Sequence, residues 1–329
     1  MNDQASHTVP GRTVRSLVSI IIPALNEERH IQSCLASVAA LEVPSHALEV
    51  LLVDNGSTDR TLELAKGFSE SLNLTILQKS GVRISALRNQ GALHSSGQIF
   101  AFLDADCLVS PHWLGDLIAL QEKLSEIGVL GAPYNIPAQS SWVARVWEQA
   151  HTKSDLSHVR YIPGGGMLMR RAVFDAVGGF DESIETNEDS ELCARIRAFG
   201  LPIVADRTVA VLHLGTSQTL HDFYRRQHWH GTHVFKVFLR SPGRSGNERA
   251  VLLALYTLIF ELGIGVGLVA GRWSLALLSL VLWLAPAFAL ALQRSLNGSS
   301  RKTFPHLVLL YLTYGVARAH CLVLAGTRK

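Results

Sequence analysis

Residues 17–22 read LVSIII, and residues 99–103 read IFAFL. Both are unbroken apolar runs of strand length, and two more such runs lie between them, Val50–Val53 and Leu74–Leu77. Amphipathic segments with helical spacing separate the four runs. Apolar strands that alternate with helices predict an α/β fold, with a mostly parallel sheet covered by helices on both faces.

The helices predicted around these strands follow from their apolar spacing. The first presents Ile31, Leu35 and Val38 on one face, and the next two cover residues 58–68 and 85–95. Beyond Pro111 we expect, in order, a helix over 113–124, a glycine-rich strand region over 161–169, a helix over about 188–199 and a long helical stretch over 220–239. In sheets of this kind ligands bind beyond the carboxyl ends of the strands, so the chemistry is sought there.

Charge and cysteine usage exclude two classes of protein. The 329 residues have a net charge of +3 and no block of consecutive Lys or Arg, which does not favour a nucleic-acid partner. The four cysteines are scattered and form no CxxC pair, which predicts reduced thiols rather than a disulfide framework.

Hydrophobicity is concentrated in the last third of the chain. Residues 250–271 are interrupted by one charge, Glu261, and residues 273–292 contain none. Each run has about the 20 residues needed to cross a hydrocarbon core. A weaker third stretch, 307–326, is interrupted by Arg318 and His320. It is either a third span whose charge has a partner or a helix lying in the interface, whereas buried core helices of a soluble domain would not explain two adjacent runs.

The flanking charges predict an orientation. Three arginines precede the first span and three basic residues follow the second, but the connection between them has only Arg272. The positive-inside rule then places residues 1–249 in the cytoplasm and makes the chain a multi-pass protein of the cytoplasmic membrane. We expect a disordered tail at 1–15, an α/β domain at 16–240, a linker at 241–249 and a membrane domain at 250–329.

Acidic and polar side chains follow three of the predicted strands. Residues 23–28 read PALNEE, residues 54–59 read DNGSTD, and Asp104-Ala105-Asp106 follows the fourth strand. The first two groups have structural explanations as helix caps and Asx turns. Asp104 and Asp106 would share one face of an extended chain, and two close carboxylates repel unless a cation lies between them. This spacing predicts a divalent cation that also binds substrate phosphates.

A second acidic pair, Glu188-Asp189, lies at the start of a predicted helix. Acidic side chains in a first turn complement the helix dipole, which is a sufficient structural reason for them. A carboxylate that faces a cleft from this position can also take a proton from an incoming hydroxyl.

Together these segments resemble the large family 2 glycosyltransferases, which have the Rossmann-like GT-A fold. The resemblance covers roughly residues 16–235, and five segments in family order make it specific. They are SIIIPALNEE at 19–28, LLVDNGSTDRT at 51–61, ALRNQGALHSSGQIFAFLDAD at 86–106, GGGMLMRRAVFDAVGGFDE at 164–182 and NEDSELCARIRAFG at 187–200.

The resemblance implies a site for a nucleotide-sugar donor. Pro23, Leu25 and Glu27 would line the nucleotide pocket, and Asp54 would accept hydrogen bonds from the base. Arg88 and Asn89 would help to hold the nucleotide. In the Asp104-Ala105-Asp106 element, one acid would face the ribose and the other a Mg²⁺ or Mn²⁺ ion.

The resemblance also implies the remaining roles. Asp189 would deprotonate the acceptor for one in-line attack that inverts the anomeric carbon, and Glu188 would support it. His213 would be a third metal ligand beside Asp104 and Asp106, or a strand-end histidine bonded to backbone.

Two further groups are expected near the reacting sugar. Gly164, Gly165 and Gly166 would let acceptor and donor approach the backbone, although a plain tight turn explains them equally well. Arg225 and Arg226 would reach the diphosphate from a lid, or face solvent on an amphipathic helix.

One departure from the family predicts the type of transfer. Residues 224–231 read YRRQHWHG and lack the QxxRW spacing of processive synthases, and two or three membrane segments are few for a polymer channel. We therefore expect transfer of a single sugar. The resemblance implies a UDP-sugar rather than a GDP-sugar as the donor, and we expect a lipid-linked saccharide or glycolipid as the acceptor. A polyprenyl-phosphate glycosyltransferase is the alternative, and an inactive membrane scaffold is a distant one.

Overall fold

The computed structural model describes residues 7–9, 12–14, 18–43, 47–124, 126–151, 156–231, 238, 248–296 and 301–324. The chain divides into two compact units, one of residues 1–137 and 153–215, the other of residues 138–152 and 216–329. This division falls at residue 215 rather than at 240, the boundary expected from the sequence. It also assigns residues 138–152 to the second unit.

The strands are short, and all of those described lie in the first unit. In chain order they are β1 (His7–Val9), β2 (Arg12–Val14), β3 (Val18–Ala24), β4 (Leu48–Asp54), β5 (Leu74–Gln78), β6 (Ile99–Leu103), β7 (Cys107–Leu108), β8 (Val129–Gly131), β9 (Ser157–His158), β10 (Gly166–Arg170), β11 (Ile203–Ala205) and β12 (Leu212–His213).

Helices occur in both units. They are α1 (Ile31–Ala39), α2 (Thr61–Lys66), α3 (Ile84–His94), α4 (Trp113–Lys123), α5 (Trp142–His151), α6 (Arg171–Val177), α7 (Glu188–Ala198), α8 (Leu220–Gly231), α9 (Glu248–Val269), α10 (Trp273–Leu296) and α11 (Phe304–Leu324).

The first unit is built on an eight-stranded mixed sheet with the order β5-β4-β3-β6-β10-β8-β11-β9. Strands β5, β4, β3 and β6 are parallel to one another. Strand β10 is antiparallel to both of its neighbours, β6 and β8. Strands β8 and β11 are parallel again, and β9 runs antiparallel at the edge. The mostly parallel sheet predicted from the sequence is therefore confirmed.

Both faces of this sheet are buried. Ile20 and Ile22 of β3 contribute to one apolar cluster and Ile21 to another, because successive side chains of a strand point to opposite faces. Side chains of α1, α2 and α4 cover the first face, and side chains of α3, α6 and α7 cover the second. This arrangement confirms the inference drawn from the unbroken apolar strands.

Most element bounds agree with the sequence, and the differences have local causes. Helix α2 begins at Thr61 rather than at Thr58, because the Asp59 carboxylate holds the preceding turn and accepts hydrogen bonds from Thr61 N (3.0 Å) and Thr61 Oγ1 (2.5 Å). The strand expected over 161–169 begins only at Gly166, whose N–H bonds to Pro163 O (3.2 Å) in a turn. The predicted helix over 220–239 is described up to Gly231, and most of its remainder lies outside the described residues.

The expectation of a disordered tail is corrected for six of its residues. Strands β1 and β2 pair antiparallel, with Thr8 opposite Thr13. Thr8, Val9, Thr13 and Val14 are β-branched and favour extended backbone. The other residues of the tail lie outside the described residues.

The second unit consists of α5 and α8–α11. Helices α9 and α10 are long and apolar enough to cross a membrane, by length and composition. They agree closely with the two predicted spans, and Tyr256 Oη of α9 donates a hydrogen bond to Leu282 O of α10 (2.8 Å). Of the predicted linker, Glu248 and Arg249 already belong to α9, and residues 241–247 lie outside the described residues.

The polar residues that interrupt these apolar helices have partners within the second unit. His320 Nε2 lies 3.6 Å from Glu261 Oε2, and Tyr224 Oη lies 3.0 Å from His320 Nδ1. Arg318 Nη2 donates to Gln227 Oε1 (3.2 Å). Helix α11, which contains the weak third stretch, buries Leu307, Leu310 and Tyr311 in a cluster with α5, α8 and α10. The charge in the third stretch thus has a polar partner, and a third span stays a prediction.

Candidate active site

The loops after β3 and β4 are locked together at the carboxyl edge of the sheet. Asn26 adopts a left-handed backbone (φ 55°), and its Oδ1 accepts a hydrogen bond from Thr58 N (2.9 Å). Its own N–H donates to Ser57 Oγ (2.9 Å), and Glu27 N donates to Thr61 Oγ1 (2.7 Å). Asn tolerates this backbone region better than most residues, which explains its position in PALNEE. The sequence analysis did not single out this role.

Asp54 lies at the end of β4 and is completely buried. Its Oδ2 accepts hydrogen bonds from Gly56 N (2.9 Å) and Ser57 N (3.0 Å). Its Oδ1 is buried and has no hydrogen-bond partner among the described residues. Buried acceptors are normally satisfied, so this oxygen is suited to a donor supplied by a ligand.

Glu27 brings the first loop towards the acids that follow β6. Burial raises the pKa of Glu27, the hydrogen bond from His30 (3.0 Å) lowers it, and the negative charges of Asp106 and Asp104 raise it. The three carboxylates therefore share one electrostatic environment. Pro23 is buried behind this loop, and Leu25 is 48% exposed.

Asp104 and Asp106 do not share one extended face as the sequence analysis expected. Residues 104–107 form a turn in which Cys107 N donates to Asp104 O (3.0 Å), with Ala105 buried inside it. Asp104 accepts hydrogen bonds from Arg88 Nη2 (2.8 Å) and Tyr134 Oη (3.0 Å). The alternation of an extended strand fails here because the strand ends at Leu103.

Asp106 is directed instead towards His213. The distance from Asp106 Oδ2 to His213 Nε2 is 3.1 Å, and His213 is 4% exposed. Asp106, Cys107 and His213 each offer one ligand atom, and these atoms lie within 4.8 Å of one another. A Cβ on Gly215 would collide with the Asp106 carboxylate, so glycine leaves that carboxylate room. These oxygen, nitrogen and sulfur donors fit a divalent cation.

Arg88 is the buried centre of the site and is 1% exposed. Its Nη2 donates to Asp104 and its Nη1 donates to Glu188 Oε1 at 2.6 Å. Both Nη atoms are thus bonded inside the protein, and the expected contact of Arg88 with a nucleotide stays a prediction. Arg88 fixes two acidic side chains that lie 84 residues apart in the sequence, at positions 104 and 188.

Asn89 is also directed into the protein rather than towards a nucleotide. Its Nδ2 donates to Phe180 O (2.9 Å) and Glu182 Oε1 (2.9 Å), and its Oδ1 accepts from Phe180 N (2.9 Å). The side chain thus holds the loop that follows α6. A sequence motif gives the residue type but not the direction of its side chain, so the role of Asn89 at the nucleotide stays a prediction.

Glu188 and Asp189 occupy the first turn of α7, after Asn187 in a left-handed backbone (φ 64°). Asp189 accepts hydrogen bonds from Gly164 N (3.1 Å) and Ser190 N (2.6 Å). Burial and the Glu188 carboxylate raise the pKa of Asp189 to about 7, against the lowering effects of Arg88 and of the two N–H donors. Asp189 can therefore exchange a proton near neutral pH.

Two of the three glycines lie directly beside charged side chains of the protein. A Cβ on Gly164 would lie 2.6 Å from Arg88 Nη2, and a Cβ on Gly165 would collide with the Asp104 carboxylate. Gly166 begins β10, opposite Leu103 of β6. Gly164 and Gly165 thus make room for the protein's own charged side chains.

Tyr134 is a site residue that the sequence analysis missed. Its hydroxyl donates to Asp104 Oδ2 and accepts a hydrogen bond from Gly165 N (3.0 Å). Its ring stacks on His213 with 4.5 Å between centroids. Burial and the charge of Asp104 raise the Tyr134 pKa well above its usual value, so the hydroxyl remains a donor. An isolated tyrosine between predicted elements provides no pattern that would have revealed this.

Arg225 and Arg226 lie on α8, in the second unit. Arg225 is exposed and Arg226 is half-buried. Their expected contact with a diphosphate stays a prediction.

Comparison with known proteins agrees with this geometry. Residues 19–178 match the family described as glycosyl transferase family 2. A mannosyltransferase structure from Pyrobaculum calidifontis, in complex with GDP-Man and Mn²⁺, superposes with a TM-score of 0.63 at 18% identity, covering 98% of this chain and 89% of that one. The fold is therefore the GT-A fold. The chain contains a family 2 glycosyltransferase domain, as its sequence predicts.

Two curated relatives illustrate how much of the chain is similar to known proteins. The glycosyltransferase AglE of Haloferax volcanii is 48% identical over 99 residues, which cover 30% of this chain and 33% of that protein. A beta-monoglucosyldiacylglycerol synthase of Nostoc sp. is 29% identical over 230 residues, covering 64% of this chain and 48% of that protein. The matches thus span a third to a half of these two relatives.

We predict that Arg88→Met destabilises the protein by about 3–5 kcal/mol, because it leaves the buried Glu188 and the half-buried Asp104 carboxylates without their cation. The matched control is Arg60→Met, which breaks the exposed pair with Glu63 (3.0 Å) and should leave the stability almost unchanged. Thermal or urea unfolding of the purified full chain measures both. Equal stability losses in the two variants would contradict the central role of Arg88.

Proposed function

We propose that the chain is a non-processive, inverting glycosyltransferase. It transfers one sugar from a nucleoside diphosphate sugar to a hydroxyl of a lipid-linked saccharide or glycolipid. The observation that supports this most directly is Asp189, a carboxylate with a pKa of about 7 beside the buried Asp104–Arg88–Glu188 group, within a family 2 domain.

The donor half of the site lies along β3, β4 and β6. The unpartnered Oδ1 of Asp54 would accept a hydrogen bond from an N–H of the base, as a carboxylate can from either uracil or guanine. Pro23, Leu25 and Glu27 would form the wall beside the nucleotide, with Ala105 below it. The P. calidifontis neighbour binds GDP-Man, whereas we expect a UDP-sugar here, and direct competition decides between them.

Asp106 and His213 are the residues that would hold a divalent cation, Mg²⁺ or Mn²⁺. When bound, such an ion supplies positive charge to the leaving diphosphate. Arg88 and Tyr134 fix Asp104 away from the Asp106–His213 pair, so Asp104 would act on the ribose side.

The acceptor half of the site is the first turn of α7. Asp189 would take the proton of the acceptor hydroxyl as that oxygen attacks the anomeric carbon. Glu188, held by Arg88 at 2.6 Å, positions this turn, and its charge helps to keep the Asp189 pKa near 7. A group whose pKa lies near the working pH is an efficient general base.

Two observations support the proposed acceptor and the proposed location. Helices α9 and α10 suggest membrane association, and the Nostoc relative is named as a synthase of a glycolipid. We propose that α9 and α10 form a hairpin in the cytoplasmic membrane, with the transferase domain in the cytoplasm.

The direct test is a screen of nucleotide sugars. With Mn²⁺ or Mg²⁺ present, the purified full chain should hydrolyse one UDP-sugar, or transfer the sugar from it, in preference to GDP-sugars. EDTA should abolish turnover, and Asp106→Asn should do the same without loss of folding. Full activity in EDTA would exclude the metal-dependent mechanism.

Asp189→Asn should lower kcat by about 10²–10⁴-fold, because the amide cannot accept a proton. Donor Kd should hardly change. Asp175→Asn, an exposed acid on α6, is the control. A loss below about tenfold would favour transfer to polyprenyl phosphate instead, since a phosphate acceptor is already ionised and needs no base.

The same carboxylate predicts a pH dependence with a defined sign. The wild-type rate should fall as pH drops through about 7, where Asp189 becomes protonated. Because the folded pKa is raised from the usual 3.8, the contribution of Asp189 to stability is fully present below about pH 4 and is lost as pH rises from there through about 7. Asp189→Asn should therefore be more stable than wild type at pH 8 but not at about pH 4. A flat rate profile between these pH values would contradict this assignment.

Membrane association has its own measurement. The full chain expressed in bacterial cells should stay in the membrane pellet after washing with concentrated salt and with alkaline carbonate. Apolar burial of two helices of 22 and 24 residues resists both treatments, whereas surface charge contacts do not. Release by salt alone would contradict the hairpin.

A further inference from the structure

Cys107 and His213 face each other across a two-stranded ladder. Strands β7 and β12 are antiparallel, and Cys107 is directly opposite His213 in their register. Side chains of directly opposite residues lie on the same face, about 4.5–5.5 Å apart at Cβ. The thiol of Cys107 and the imidazole of His213 therefore lie on the same face of this ladder.

Asp106 completes this group from the preceding turn. Its Oδ2 lies 3.1 Å from His213 Nε2, and the Cys107 thiol donates to its Oδ1 at 3.8 Å. The ligand atoms of Asp106, Cys107 and His213 lie within 4.8 Å of one another. Asp104, the other acid of the motif, is held by Arg88 and Tyr134. The sulfur of Cys107 thus stands where the sequence motif led us to expect a second carboxylate.

The donor set has consequences for the metal. Mg²⁺ prefers oxygen ligands, whereas thiolate and imidazole favour Zn²⁺ and similar softer ions. Three protein ligands with an open fourth position are typical of catalytic zinc sites.

We propose that Cys107 is a protein ligand of the cation site, and that Asp106, Cys107 and His213 together bind Zn²⁺ or Cd²⁺. On binding, the Cys107 S–H bond breaks, a sulfur–metal bond forms, and the proton passes to solvent. This inference deepens the metal site of the proposed function and rests on it for the purpose of that site. Direct metal binding tests it without any sugar nucleotide.

The experiment titrates Cd²⁺ alone into the purified full chain and records ultraviolet absorption. Wild type should develop a thiolate-to-metal band that saturates at one metal per chain. Cys107→Ser should lose this band and bind Zn²⁺ at least about tenfold more weakly, since even outer partners of metal ligands cost 10–100-fold. Mn²⁺ binding should change far less, because Mn²⁺ favours oxygen ligands.

Cys193→Ser is the matched control, because Cys193 is a fully buried cysteine of α7 outside this group. This variant should keep the band. Survival of the band in Cys107→Ser would overturn the proposal. Should that variant fail to fold, wild type alone decides: saturable Cd²⁺ binding without a thiolate band overturns it. Sugar transfer in the absence of such a band would leave the proposed function intact and remove only Cys107 from the ligands.

Discussion

The site depends on one buried cation, the Arg88 guanidinium, placed between Asp104 and Glu188. Removing an ion from water costs several kcal/mol, and this cost is recovered only with good geometry and satisfied hydrogen bonds. The two bonds of 2.8 and 2.6 Å supply that geometry. Helix α3, which contains Arg88, thereby fixes the end of β6 relative to the start of α7.

The Arg88 guanidinium interacts electrostatically with three acids of the site. Asp104, Glu188 and Asp189 are three acids that act on one guanidinium, whose pKa they raise. Arg88 bonds directly to the first two, and Asp189 receives only N–H donors. Burial and the Glu188 carboxylate raise the pKa of Asp189 to about 7, and the charge of Arg88 opposes this rise.

The sequence predicted the parallel half of the sheet because β3–β6 are apolar runs whose burial leaves a local pattern. It missed β8, β9 and β11, which have only two or three residues each and pair with distant segments. The sequence motifs name candidate site residues, but they do not give the directions of the side chains. The side chains of Arg88 and Asn89 form hydrogen bonds within the protein. Tyr134 and Cys107 could be recognised as site residues only from the structure, in which the segment after β6 pairs with β12.

The reversal of one strand explains why the two halves of the site meet. In a wholly parallel sheet, the residues preceding a strand lie at the edge opposite to the carboxyl ends. Because β10 runs antiparallel to β6, its first residue, Gly166, pairs with the last residue of β6, Leu103. Gly164 and Gly165 therefore arrive beside Asp104, and Gly164 N reaches Asp189. A side chain at Gly164 would collide with Arg88, and one at Gly165 would collide with Asp104. The segment before β10 can therefore lie beside these charged side chains only because it consists of glycines.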